Sequence, residues 1–145
     1  DVQAIETLLA NVPINMLQFH GDESPEFCAQ FNLPYLKAVR MQVSTDLTAF
    51  REQYAGARGI LLDTFDKNLV GGTGSTFDWS LIRNAEQNQH LPELILAGGL
   101  SPDNVQSAIE QTGIEHLDVN SGIESAPGIK DPEKMREVMK VKKML

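Results

Sequence analysis

Two short glycine-containing segments follow apolar runs in the second half of the chain. Leu94–Ala97 leads into Gly98-Gly99, and Leu117–Asn120 leads into Ser121-Gly122. Small residues leave backbone N–H groups exposed, and a cluster of such groups binds phosphate through oriented dipoles without lysine or arginine. Paired phosphate loops after neighbouring late strands are typical of (βα)8 barrels. The pattern therefore predicts a phosphorylated small-molecule ligand bound by these two loops.

One carboxylate is placed where it could transfer a proton. Asp63 directly follows the apolar run Gly59–Leu62, so it lies at the C-terminal end of a predicted strand. In a barrel, that end faces the ligand, and an acid there can exchange protons with the substrate. A second interpretation stays open, in which Asp63 caps the following loop or pairs with Lys67.

Three further polar residues are candidates for lining the same cavity. Gln18 and His20 are two positions apart before Gly21, so they share one face of a strand. A histidine with a purely structural hydrogen bond is an equally compatible interpretation. Asp118, which precedes the second glycine loop, either contacts the substrate or orients that loop through backbone hydrogen bonds.

Two other features carry weaker predictions. The segment Gly71-Gly72-Thr73-Gly74 lacks the Lys-Ser/Thr pair of a nucleotide P-loop. It suits either a mobile loop over the cavity mouth or an ordinary surface turn. Cys28, beside Phe27 and Phe31, is predicted to be a small core residue rather than a nucleophile. No Cys/His spacing suggests zinc, so a metal is not expected.

Composition excludes several classes of protein. The 145 residues are 41% hydrophobic, which suits one compact domain over 1–145. A formal charge of −8 and a pI of about 4.8 argue against nucleic-acid or anionic-membrane partners. One cysteine cannot form an intrachain disulfide, so a reducing cytoplasmic compartment is expected. No apolar stretch reaches the roughly 20 residues that span a bilayer.

Predicted strands and helices alternate along the chain. The strands are Asn15–Phe19, Tyr35–Val39, Gly59–Leu62, Glu93–Ala97 and His116–Val119. The helices are Pro25–Phe31, Thr45–Tyr54, Trp79–Asn84, Pro102–Gln111 and Pro132–Lys142. Five such βα units imply a parallel sheet with right-handed crossovers. An open doubly wound sheet is the alternative, but polar residues after nearly every strand favour a barrel, where all strand ends converge.

Local signals mark several element ends. Three helices are predicted to begin with a side-chain cap followed by proline, at Ser24-Pro25, Ser101-Pro102 and Asp131-Pro132. Gly113 is placed to end the fourth of the five helices. At the start, Ile5, Leu8 and Leu9 have helical spacing, yet the segment shows no opening cap. We therefore expect the chain to begin inside an element.

Several strings, taken together, resemble the phosphoribosylanthranilate isomerases of tryptophan biosynthesis. The early ones are Leu17-Gln18-Phe19-His20-Gly21, Leu36-Lys37-Ala38 and Leu61-Leu62-Asp63-Thr64. The later ones are the runs 71–79, 96–105, 117–124 and 127–131. Each motif is weak alone, but their order and spacing agree across nearly the whole chain.

The resemblance implies a single (βα)8 barrel that performs an Amadori rearrangement without metal or cofactor. It converts N-(5-phosphoribosyl)anthranilate to 1-(2-carboxyphenylamino)-1-deoxyribulose 5-phosphate. By resemblance, Asp63 is the general acid, the glycine loops hold phosphate, and Gln18, His20 and Asp118 line the pocket. Position 120 is often serine in this family and is Asn120 here.

The match begins just before the family's fourth strand, so it implies about strands 4 to 8 of the barrel. A first-strand cysteine, the family's base, has no counterpart among the matched residues, and Cys28 does not take its place. We therefore expect this segment alone to self-associate and to be inactive. The parent protein could also be fused to an indole-glycerol-phosphate synthase. Two alternatives remain, namely another phosphosugar barrel enzyme and a non-catalytic phosphate-binding half barrel.

Overall fold

A computed structural model describes residues 1–64, 78–82 and 90–143. Its strands are β1 Leu17–Phe19, β2 Tyr35–Met41, β3 Gly59–Thr64, β4 Glu93–Leu96, β5 Glu124–Ala126 and β6 Ile129–Lys130. Its α-helices are α1 Val2–Asn11, α2 Pro25–Ala29, α3 Leu47–Gln53, α4 Val105–Thr112 and α5 Pro132–Lys143. Short 3-10 helices lie at Trp79–Ile82 and Ser121–Ile123. The predicted alternation of strand and helix is confirmed for the first three strands and the helices between them, whereas the described part of the predicted helix Trp79–Asn84 is the 3-10 helix Trp79–Ile82.

Four of the strands form one parallel sheet in the order β1-β2-β3-β4. Sequential order with helical connections is the βα pattern predicted from the sequence. The predicted fifth strand, His116–Val119, is wrong as a full strand. It makes a single parallel bridge between Leu96 and Leu117. The Leu96 N–H donates to the His116 carbonyl, and the Asp118 N–H donates to the Leu96 carbonyl. Beyond that bridge the chain enters the 3-10 helix at Ser121. There Gly122 packs against the Leu100 backbone, so these residues do not continue the pairing with β4.

Two of the three predicted proline-led helix starts are confirmed. The Ser24 hydroxyl accepts from the Phe27 N–H at 3.2 Å, and the Asp131 carboxylate accepts from the Glu133 N–H at 2.8 Å. Both side chains satisfy amide groups that have no partner within the helix. Gly113 ends α4 in the left-handed conformation, with φ at 74°, as predicted for a C-terminal glycine.

The third predicted start is wrong, and so is the expectation about the first helix. Helix α4 begins at Val105 rather than Pro102, because residues 102–104 form a tight turn in which the Ser101 carbonyl accepts from both the Asn104 and the Val105 N–H groups, at 3.2 and 3.0 Å, while the Asn104 side chain accepts from the Ser101 N–H and donates to the Gly99 carbonyl. Those bonds hold the intervening residues in a turn. Helix α1 does have an opening cap, since the Asp1 carboxylate accepts from the Gln3 N–H at 2.9 Å.

The two faces of the sheet have different surroundings. Phe19 on β1 packs its ring against Phe27 and Phe31 of the α2 region, with ring centroids 6.0 Å apart in both cases. Residues in register on parallel strands share a face, so Lys37, which pairs with Phe19, also faces the helices. The neighbours Gln18 and Ala38 therefore lie on the opposite, open face. Polar residues at the strand ends of that open face form the candidate site.

A buried lysine connects β2 to the loop that follows β1. Lys37 is 2% exposed, and its ammonium donates to the Gly21 carbonyl and to the Glu23 carboxylate, the latter at 3.1 Å. The Tyr54 hydroxyl donates to the Glu23 carbonyl at 2.8 Å. Burial of Glu23 opposes its ionisation, but backbone and Lys37 hydrogen bonds outweigh it, so the Glu23 pKa lies below its ordinary 4.5. This cluster therefore secures the segment directly after His20.

Replacing the buried cation should destabilise the fold measurably. We expect Lys37→Met to lower the free energy of unfolding at pH 7 by about 2 kcal/mol, the scale for hydrogen bonds to charged groups. Urea denaturation measures this, and Tyr54→Phe should cost only about 1 kcal/mol. Because the Glu23 pKa is depressed, its stabilisation is present above pH 4.5 and is lost as pH falls through the lower folded-state value. The difference in stability between the original chain and Lys37→Met should therefore narrow as the pH falls below 4.5, and equal stability of the two at pH 7 would contradict a stabilising role for Lys37.

Candidate functional site

The first glycine loop begins where β4 ends. Gly98 and Gly99 both adopt left-handed backbone angles, with φ at 77° and 65°. Only glycine adopts these angles without strain. The Asn104 amide donates to the Gly99 carbonyl at 2.9 Å, which fixes the far side of the loop. The loop is thus held in one conformation at the carboxyl edge of the sheet.

The second glycine loop lies against the first. An ideal Cβ on Gly122 would be 1.9 Å from the Leu100 carbonyl oxygen and 3.0 Å from the Ser101 Cα. Both contacts are with backbone, so no side-chain rotation can relieve them. Glycine at this position is what allows the two loops to touch. The structure therefore brings together the two segments that the sequence marked as phosphate-binding candidates.

The contacting loops present hydrogen-bond donors. Within the described part of the chain, the N–H groups of Gly98, Gly99, Ser121 and Gly122 donate to no protein acceptor. Gly98, Gly99 and Gly122 are partly exposed, and Ser121 is exposed. N–H groups that converge in this way form a site of positive potential, for which phosphate is a suitable occupant.

Asp63 lies near the end of β3, beside this donor cluster in the sheet. It is half-buried and in register with Arg40 of β2. Alternation along β2 places Arg40 on the same face as Ala38, which is the open face. The neighbouring Leu62 carbonyl accepts from the Ala97 N–H at 2.9 Å, one residue before the first glycine loop. Lys67, the alternative partner for Asp63, lies outside the described residues.

The other candidate residues also reach the open side. Gln18 and His20 are exposed, and Gln18 is in register with Leu36 on the open face. Asp118 is exposed, while its neighbours Leu117 and Val119 pack into the core. The Asp118 backbone N–H donates to Leu96 at 2.8 Å. All three are therefore at the same sheet face or edge as Asp63, and their contact with a substrate stays a prediction.

The position of Cys28 bears on its reactivity. Cys28 is fully buried in the core, as predicted, and burial raises the pKa of its thiol. A protonated, inaccessible thiol is a poor base or nucleophile.

Among residues 1–64, 78–82 and 90–143, no cluster of His, Cys, Asp or Glu could hold a metal ion. The predicted mobile loop Gly71-Gly72-Thr73-Gly74 lies outside the described residues. In the described ranges, no helix combines the length and apolar character that crossing a bilayer requires.

One site residue was not indicated by the sequence. Lys130, on β6, donates to the Asn120 carbonyl at 2.8 Å, to its side-chain oxygen and to the Glu124 carboxylate at 2.8 Å. The Lys130 hydrogen bond, followed by one from the Gly128 N–H, lowers the Glu124 pKa. Lys130 stands ten residues from Asn120 in the sequence, and only the antiparallel pairing of β5 with β6 brings the two together. The sole prior signal was its place in the Pro127–Asp131 string.

Comparison with known sequences gives a consistent result. Residues 1–141 match the family model described as N-(5'-phosphoribosyl)anthranilate (PRA) isomerase. An N-(5'-phosphoribosyl)anthranilate isomerase from Nitrosomonas europaea is 48% identical over 139 residues, which cover 96% of this chain and 64% of that protein. Its counterpart from Nitrosospira multiformis is 53% identical over 127 residues, covering 88% and 59% respectively. The chain thus spans about three fifths of the length of these curated relatives.

Solved structures agree with the sequence comparison. Phosphoribosyl anthranilate isomerase from Thermotoga maritima superimposes with a TM-score of 0.79 at 36% identity, covering 99% of this chain and 68% of that one. Another solved phosphoribosyl anthranilate isomerase, in complex with reduced 1-(o-carboxyphenylamino)-1-deoxyribulose 5-phosphate, gives a TM-score of 0.73 at 33% identity. It covers 99% of this chain and 66% of that one. These neighbours are (βα)8-barrel proteins, with the parallel α/β architecture described above.

Proposed function

Because this chain belongs to the N-(5'-phosphoribosyl)anthranilate isomerase family, we propose that it supplies the acid and the phosphate site of that isomerase reaction. The substrate is N-(5'-phosphoribosyl)anthranilate and the product is 1-(2-carboxyphenylamino)-1-deoxyribulose 5-phosphate, as in tryptophan biosynthesis. The observation that carries the proposal is the contact between the two glycine loops, whose N–H groups have no acceptor among the described residues and lie at the same carboxyl edge of the sheet as Asp63. A sugar phosphate bound there places its ring over the open face of the sheet.

In the proposed reaction, Asp63 acts as the general acid. It gives a proton to the furanose ring oxygen while the C1–O bond breaks and the anilino nitrogen forms a Schiff base with C1. A base then removes the C2 proton, and the resulting enol tautomerises to the ketone. Half-burial of Asp63 at the end of β3 supports this role, because it can reach both solvent and a ligand on the open face.

The base comes from outside the residues described here. Cys28, the single cysteine of the chain, is buried in the core on the helix side of the sheet. We propose that a residue on the barrel's N-terminal strands removes the C2 proton, in line with the family resemblance. The chain would then supply about five of eight βα units, which accords with the fraction of its relatives that it spans.

Exposed apolar side chains support completion of the barrel by further units. Leu8 on α1, Val12 directly after it, and Met135 and Met139 on α5 are each at least 43% exposed. These two helices are the first and last of the described elements, where absent neighbours would pack. We propose that this chain, studied alone, self-associates through these surfaces and through β1, which is one edge strand of the sheet. Sedimentation tests this, and a monomer at high concentration would count against it.

Titration with D-ribose 5-phosphate tests the phosphate site directly. We expect the backbone amide signals of Gly99 and Gly122 to shift in NMR spectra at millimolar ligand. Ribose without phosphate is the control and should leave both signals in place. The Gly113 amide, at the end of α4, should be unaffected by either compound. Unchanged Gly99 and Gly122 signals at saturating ribose 5-phosphate would remove the phosphate site from the proposal.

A non-catalytic phosphate-binding half barrel is the second candidate function. Burial of Cys28 favours it, because the chain alone then has an acid and no thiol base. The two candidates differ in one assay, in which the N-terminal segment of a curated relative is added to this chain. Fluorescence of N-(5'-phosphoribosyl)anthranilate should disappear only when both pieces are present.

We also propose a cytosolic location, which a single buried cysteine supports.

A further inference from the structure

The residues after the second glycine loop fold back onto it as a hairpin. Strand β5 pairs antiparallel with β6, with Glu124 opposite Lys130, and Gly128 makes the turn at a φ of 78°. The Asp131 N–H then donates to the Ile123 carbonyl at 2.8 Å. The Lys134 ammonium donates to the Glu124 carbonyl at 2.7 Å. These bonds connect the start of α5 firmly to the loop.

Within this hairpin, Lys130 is aimed back at Asn120. Its ammonium donates to both the backbone carbonyl and the side-chain oxygen of Asn120, and the Glu124 carboxylate accepts a third hydrogen bond from it. The Asn120 carbonyl also accepts from the Ile123 N–H at 3.3 Å. Two donors therefore fix the direction in which this carbonyl points.

The peptide plane transmits that direction to the next residue. In a trans peptide, the carbonyl of one residue and the N–H of the following residue point in opposite directions. No cis peptide occurs in the described ranges. With the Asn120 carbonyl held towards Lys130, the Ser121 N–H must point away from the hairpin. That N–H is one of the donors of the candidate phosphate site that have no protein acceptor in the described residues.

We infer that Lys130 is a positioning residue, which aims the Ser121 N–H at the bound phosphate by holding the Asn120 carbonyl. The inference rests on the proposed function, because it assumes a phosphate between the two glycine loops. Lys130 acts here through the peptide plane, and its own three hydrogen bonds are made to Asn120 and Glu124. Asn120 takes part through both its backbone carbonyl and its side-chain oxygen.

A charge effect at a distance is the competing explanation, and a second cation on the same hairpin–helix unit separates the two. Arg136, on α5, is exposed and pairs with Glu133 on its own helix. Arg136→Met removes the same charge as Lys130→Met but touches neither Asn120 nor the loop. Lys130→Arg keeps the charge and can restore donors to Asn120. These variants compare positioning with net charge.

The first measurement uses the chain without ligand. NMR relaxation should give the Ser121 N–H an order parameter near 0.85 in the original chain and in Arg136→Met, the value for rigid backbone. In Lys130→Met it should fall towards about 0.6, and Lys130→Arg should recover most of the loss. Signals from the sheet report whether the fold is intact. An unchanged Ser121 order parameter in Lys130→Met overturns the inference, whatever the ligand does.

The second measurement is the dissociation constant for D-ribose 5-phosphate. Lys130→Met should raise it about tenfold, the effect of one misdirected hydrogen bond to a charged group. Arg136→Met should change it less than twofold, and equal losses in both variants overturn positioning in favour of charge. If the original chain binds no ribose 5-phosphate, the proposed function fails. The positioning of Ser121 is then judged by the order parameter alone.

Discussion

Replacing Asp63 by asparagine is expected to lower isomerase turnover roughly 100-fold or more, the usual scale for general acid catalysis. The carboxamide keeps the shape and polarity of the side chain but has no proton to transfer to the ring oxygen. The assay is the loss of N-(5'-phosphoribosyl)anthranilate fluorescence, with this chain combined with the N-terminal barrel segment of a curated relative. We expect the Michaelis constant to change little, because in this proposal the backbone N–H groups of the glycine loops bind the phosphate and the Asp63 side chain acts only on the ring oxygen.

A matched carboxylate provides the control for Asp63. Glu93 begins β4 and is in register with Gly59, the first residue of β3. It therefore lies at the amino ends of the strands, whereas Asp63 lies at the carboxyl ends. Glu93→Gln makes the same chemical change at the amino ends of the strands, where barrel residues serve stability rather than catalysis. Its turnover should stay within about twofold of the original. Near-normal turnover of folded Asp63→Asn would remove Asp63 from the acid role.

Replacing Gly122 by alanine is expected to weaken ribose 5-phosphate binding about 100-fold. The added Cβ would be 1.9 Å from the Leu100 carbonyl oxygen, so the two glycine loops must separate. Separation moves the Ser121 and Gly122 N–H groups away from a phosphate that Gly98 and Gly99 still bind. Two lost hydrogen bonds to a charged group, at about 1.5 kcal/mol each, account for that factor. Isothermal titration calorimetry measures it.

Gly113→Ala is the control for Gly122→Ala. Gly113 also needs a special backbone conformation, at a φ of 74°, but a Cβ there would meet nothing within 4 Å. The variant should lose about 1 kcal/mol of stability from left-handed strain and keep its phosphate affinity. If both glycine variants lost affinity equally, the effect would come from general destabilisation and the loop contact would carry no function.

The Asp63 and Gly122 predictions also differ in kinetic signature. Loss of an interaction made only in the transition state lowers turnover, whereas loss of uniform binding raises the Michaelis constant. Asp63→Asn belongs to the first class and Gly122→Ala to the second. A Gly122→Ala enzyme with a reduced turnover and a normal Michaelis constant would mean that the loops act on the chemistry and not on the phosphate.

Local chemistry was sufficient for much of the fold. Proline after a capping side chain located the starts of α2 and α5, and Gly113 located the end of α4, because each signal acts within one helical turn. Alternating apolar runs and amphipathic segments indicated a parallel α/β sheet. The same local reasoning failed at Ser101, where residues 102–104 form a tight turn whose Asn104 and Val105 N–H groups share the Ser101 carbonyl. It failed again at His116–Val119, which bridges at one residue only.

The sequence by itself therefore determined the order of elements, the parallel sheet and the residue types available at the strand ends. Only the tertiary structure decided which of these meet. Gly122 lies against Leu100, Lys130 holds Asn120, and Lys37 secures the loop after His20. The physical reason is that capping and alternation depend on neighbours within a few residues. Contacts between loops and hairpins depend instead on how whole elements pack, and the spacing of residues within one element does not specify which loops will touch.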